Sequence, residues 1–149
     1  MCWSSKIIPK KLIAEGDIQV FKIVILNLQT GILTPYYHKG FGAYVPGVNY
    51  KSHLSLFVHP EHHYRYGTVY NIDEGFHSYN PEKLTTLTIN GAIMVGYGSS
   101  DVYTNPYGEP LLRVKKVKFI IPKGSVYYEN TAGKIVSDHI IPTDEMLED

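Results

Sequence analysis

The chain has 149 residues, 44% of them apolar and 19% charged, which is the balance of a globular domain and excludes wholesale disorder. Fourteen Lys/Arg offset fourteen Asp/Glu, so the basic footprint of a duplex-binding protein is absent. A single cysteine, Cys2, excludes an internal disulfide and a cysteine cage for zinc, and no apolar run approaches the ~18 residues of a membrane span.

The opening "MCWSSKIIPKK" lacks the basic-then-apolar order of an export signal, so a reducing cytoplasm is the expected compartment. No repeat, low-complexity tract or linker interrupts residues 1–149, and a single domain is expected. The segment "IQVFKIVILNL" (18–28) is apolar on both parities, the pattern of a strand covered on both faces. "QTG" (29–31) then reads as a turn into "ILTPYY", a hairpin. "SHLSLFVH" (52–59) alternates, which sends Leu54, Leu56 and Val58 inward and leaves His53, Ser55, Phe57 and His59 on the other face.

"LTTLTINGAIMVGYG" (84–98) centres on Asn90-Gly91, the strongest short hairpin signal. A short helix capped at Asn80-Pro81-Glu82 competes for the start of that segment, but Thr85, Thr86 and Thr88 favour strands. "GSSDVYTNPYGEP" (98–110) has the composition of a loop. "LLRVKKVKFIIP" (111–122) reads as a strand whose lysines guard a sheet edge, and "SVYYENTAGKIVSDHII" (125–141) as a hairpin turning at "NTAG". The tail "DHIIPTDEMLED", with five carboxylates and no Lys or Arg, reads as a solvated terminus. The expected fold is therefore mainly β: an antiparallel sandwich or partly open barrel with at most one short helix.

Chemistry-bearing residues concentrate in "FVHPEHHYRYGTVYNIDEGFHSYN" (57–80), which holds four of the seven histidines. Zinc would need His59, Glu61, His62, His63 and His77 to converge, yet extended His62 and His63 diverge and Pro60 forbids helical i, i+4 spacing. No metal is expected. An N-terminal Cys2 nucleophile lacks any supporting motif, and Asp73-Glu74 before Gly75 reads as a turn. The remaining pattern is one of aromatic rings beside cations. Tyr37 and His38 lie in one loop, and His63, Arg65 and Tyr66 in another, with His77 beyond. Such rings stack on bases while Arg meets phosphate, so these six residues are the expected ligand contacts.

Three motifs, "MCWSSKIIP", "GFHSY" and "IPKGSVYYENTAGKIVSD", resemble those of a small, largely uncharacterised family from gut bacteria and their phages, over most of the chain. More distantly, the order of "DIQVFKIV", "DEGFHSYNPE" and "VKFIIPKGSVYYEN" is similar to ADP-ribosyltransferase folds, which are α+β. That similarity implies NAD as cosubstrate and places Gly75, Phe76 and Ser78 on the nicotinamide-pocket strand. There the first strand offers Lys22 where such folds carry His or Arg, and Glu129 is the one nearby carboxylate. The leading expectation is a non-catalytic cytoplasmic binding protein of phage or mobile-element type without a cofactor. Its partner is a small anionic or nucleotide-like molecule or a host protein, with neither duplex nucleic acid nor a membrane as partner. An NAD-using transferase is the alternative. An assembly subunit that meets other chains or its own copies through a tyrosine-rich face is the third.

Overall fold

A computed structural model of the chain describes residues 3–35, 42–59, 69–72, 74–83, 102–104 and 110–147. Among these residues every regular element is a strand, and no helix is long and apolar enough to cross a membrane. The first half carries β1 (Trp3–Ser5), β2 (Leu12–Ile13), β3 (Ile18–Asn27), β4 (Leu33–Pro35), β5 (Tyr50–Lys51) and β6 (Leu56–His59). Next come β7 (Val69–Ile72), β8 (Phe76–Tyr79) and β9 (Val102–Thr104). The chain ends on β10 (Pro110–Ile121), β11 (Val126–Glu129), β12 (Lys134–Ser137) and β13 (His139–Leu147).

These strands form two antiparallel sheets. The smaller has the order β1-β7-β6; the larger runs β2-β11-β12-β8-β3-β10-β13-β5, with β4 also on β3 and β9 on β10. The large sheet curls around its own core without closing into a barrel, and β2 and β5 are the ends of its path. A bulge between Val117 and Phe119, where β10 meets β13, adds to that bend. The mainly-β antiparallel expectation therefore holds.

The double parity of β3 has its physical basis at the sheet centre, where Val20 through Val24 are all buried. Register partners share a face. Val20 lies beside Phe119, and Val24 joins Val117, Ile121, Ile135 and Ile140 in the main core. Phe21 points the opposite way and stacks on Tyr79, ring centres 5.2 Å apart. Two turns form as the sequence implies. Asn27 Oδ1 accepts from the amides of Gln29 and Thr30 at 2.9 and 3.1 Å, closing the β3–β4 hairpin. Asn130 Oδ1 accepts from Ala132 and Lys134, both at 3.0 Å, closing β11–β12.

The small sheet covers the second face. Trp3, Ile72 and Val136 form its seam with the large sheet, and Leu54 and Tyr128 pack against them. Trp3 Nε1 donates to the Lys134 carbonyl at 2.9 Å, so the ring is both packed and hydrogen-bonded.

Four expectations need correction. The lysine-bearing strand is not an edge: β10 lies between β3 and β13. Its lysines are accommodated individually. Lys116 is buried with Nζ 5.0 Å from the Phe21 ring centre, and Lys118 pairs with Glu145 at 3.1 Å. The acidic tail is not a free terminus either, because β13 continues to Leu147 along β10, keeping Asp144 and Glu145 on exposed positions. Leu56 is 43% exposed rather than inward, because regular pairing starts only at that residue, and residues 52–55 are irregular. Leu54 does pack inward, while the side chains of Phe57, Val58 and His59 lie outside the described part. The segment 98–110 contains β9, which pairs with β10. The Asn90-Gly91 hairpin lies outside the described residues; before it, Asn80 Oδ1 accepts from the Glu82 amide at 2.9 Å in a turn over 81–83.

Candidate functional site

Of the six ring and cation positions singled out from the sequence, Tyr37, His38, His63, Arg65 and Tyr66 lie outside the described residues. The same holds for Cys2, Glu61, His62 and Asp73. His77 is described. It sits half-buried on β8 with Val136 as its register partner, so it stands inside the large sheet rather than in a loop. Among the described residues no three His, Cys, Asp or Glu side chains gather as a metal would require.

The "GFHSY" segment is β8 with the glycine that leads into it. Phe76 and Ser78 face the main core; Ser78 is buried and its hydroxyl finds no partner among the described residues. The pairing of Phe21 with Tyr79 puts Lys22 beside Ser78 on that same face. Lys22 Nζ donates to the His77 carbonyl and lies 5.9 Å from the Tyr44 ring centre. Glu129 is held at the far side of this row by Lys83 at 2.5 Å and Asn80 at 3.4 Å.

Burial lowers the Lys22 pKa from 10.5 to about 8. The Tyr44 hydroxyl is pushed up instead, first by burial and then by Tyr50, so it stays neutral. For Lys22 the folded pKa lies below the unfolded one, so the unfolded chain binds more protons between about pH 8 and 10.5. Stability from this site therefore rises with pH through that window, and below it the fold carries a buried ammonium at roughly 3 kcal/mol. Lys22→Met is expected to stabilise the protein by roughly 2–3 kcal/mol at pH 7. Urea denaturation of both forms should show the difference shrinking from about pH 8 toward 10.5. A difference independent of pH would contradict the buried charge.

A second arrangement is open to solvent. A shallow cleft of about 330 Å³ lies where the strap before β2 and the segment from β5 to residue 54 flank β11. Leu54, Val126 and Tyr128 give it an apolar floor, and Lys11, Lys51 and His53 bring cationic or polar nitrogen to its walls. Each wall is placed by sheet pairing. Lys11 directly precedes β2, whose Leu12 and Ile13 pair with Tyr127 and Val126. Lys51 is fixed beside His139 by β5–β13 pairing.

Asp138 staples the corner. Its carboxylate accepts from the Val126 amide at 3.0 Å, its own amide donates to the Val126 carbonyl at 3.1 Å, and its carbonyl takes the Ser52 amide at 2.8 Å. The lining thus carries two lysines against one carboxylate, which is itself held by main chain, so the cleft is net positive by one charge. Such walls offer cationic nitrogen, and Tyr128 offers a flat apolar surface beside it.

Sequence reading missed this constellation because its three parts, Lys11, residues 51–54 and residues 126–138, are distant in the chain and share no local motif. The usable signal was the alternation that put His53 on the non-core face; it is indeed exposed. Comparison with protein-family models, curated proteins and solved structures finds no match.

Proposed function

We propose that the protein is a non-catalytic binding protein for a small anionic ligand, phosphate-bearing or nucleotide-like, held in the cleft of Lys11, Lys51 and His53 over Tyr128. The convergence of Lys11 with Lys51 and His53, from two segments far apart in the chain, carries the reading. Two ammonium groups meet the charge, His53 adds a hydrogen bond, and the tyrosine face accepts a ring. The earlier expectation of an anionic ligand is kept, but its seat moves to described residues that the sequence did not single out.

The test is thermal unfolding with inorganic phosphate, pyrophosphate and adenosine diphosphate. A ligand present at about 100 times its Kd should raise Tm by roughly 5–10 °C. Lys11→Ala/Lys51→Ala should leave the unliganded Tm nearly unchanged, since both side chains are exposed, and abolish the shift. If none of the three anions moves the Tm of the wild-type protein, the reading fails.

A further inference from the structure

The segment "KIIPKKLI" (6–13) bridges the two sheets, running from the end of β1 to β2. Between Lys6 and Lys11 it makes no strand pairing, and it bends rather than packs. Three isoleucines on it stand in solvent: Ile7 is 63% exposed, Ile8 73% and Ile13 63%. A run of such exposure is unusual for β-branched apolar residues, which are among those most often buried. Lys6, Lys10 and Lys11 alternate with them and are also exposed, and residues 6–13 contain no carboxylate.

This strap is continuous with the cleft. Lys11 lines the cleft wall, and Ile13 is the register partner of Val126, which lines its floor. Apolar tips flanked by cations, beside an opening that takes an anion, match one chemistry best: the headgroup layer of an anionic bilayer. A protein partner would call for a broad apolar face with a polar rim, whereas Ile7 and Ile8 project from the irregular strap between Lys6 and Lys10, and Ile13 follows Lys10 and Lys11 on β2.

We propose that the strap docks the protein on an anionic membrane surface. Ile7, Ile8 and Ile13 enter the headgroup layer, Lys10 and Lys11 meet lipid phosphates, and one headgroup reaches the cleft. This last contact rests on the anion-binding reading above; the isoleucine contact does not. The docking is peripheral and needs no spanning segment.

Co-sedimentation with equimolar phosphatidylcholine–phosphatidylserine vesicles, and with phosphatidylcholine vesicles alone, tests it. The protein should pellet with the first and not the second, and added salt should release it. Lys10→Ala and Lys11→Ala should each weaken vesicle binding roughly fivefold. Ile7→Ser/Ile8→Ser should weaken it at least about tenfold while keeping the Tm shift produced by pyrophosphate. Equal binding to neutral vesicles overturns the proposal. So does failure to bind either vesicle while pyrophosphate still raises Tm, a result that leaves the cleft reading standing. A dimer in sedimentation velocity that Ile7→Ser/Ile8→Ser dissociates also overturns it, by assigning the strap to a second copy of the chain.

Discussion

Gly75→Ala is expected to destabilise the protein by roughly 3–5 kcal/mol, a large share of the stability of a domain this size. Two independent costs add. The glycine has φ of +122°, a region that side-chain-bearing residues rarely enter. A Cβ there would also meet the Leu54 side chain, Val136 Cγ2 at 2.7 Å and the Ser137 carbonyl at 3.2 Å. Leu54 can move, but Ser137 is main chain of a paired strand and cannot yield cheaply. Urea denaturation measures the loss. Adding Leu54→Ala to the variant should relieve only the Leu54 contact, because the approach to Val136 and Ser137 and the backbone strain remain. A loss below about 1 kcal/mol would show that the approach of these strands is looser than described. Leu54 also floors the cleft, so the variant should weaken anion binding even where it folds.

The second large effect is expected at Trp3, the sole tryptophan. Trp3→Ala should cost roughly 3–5 kcal/mol through the cavity it leaves between Ile72 and Val136. It also removes the indole N–H bond to the Lys134 carbonyl, which keeps only its bond from the Asn130 amide at 3.0 Å among those described. The loss should be uneven. β1 is held to β7 over three residue pairs, so without the indole the β1-β7-β6 sheet has little to keep it docked. Hydrogen exchange should show the amides of Tyr70 and Ile72 losing protection well before those of β3 and β10. Equal loss across both sheets would mean that they unfold as one unit. Trp3→Phe should fall between, keeping most of the packing and losing the hydrogen bond.

Much of the fold was legible where local chemistry and burial agreed. β3 declared itself by apolar residues on both parities, and the two hairpins by the Asn-containing turns that close them. Two of the failures share one cause, in that charge was read as exposure. Lys116 hides its stem and sets its ammonium on an aromatic face, and Glu145 reaches Lys118 from a strand rather than a tail. Nothing local distinguishes such lysines from those of an edge. The cleft was not legible at all. Lys11 becomes a neighbour of Lys51 and His53 only through β2–β11 and β13–β5 pairing, and long-range strand order leaves no trace in periodicity.

The order of strands in the large sheet has a consequence for how the protein is made. The central strand β3 takes its longest pairing from β10, joining residues nearly a hundred positions apart, such as Phe21 and Lys118. A ribosome working at about 5–20 residues per second needs roughly 5–20 s to deliver that partner. Among the described residues, what is made in that interval to pair with β3 is the short β4, at Val24 to Leu26, and later β8, at Phe21. The most insoluble stretch of the protein is thus among the first made and the last enclosed. Topologies of this kind fold slowly and expose sticky strands while they wait. Chaperone demand in the cell would then follow the timing of translation rather than the stability of the finished sheet.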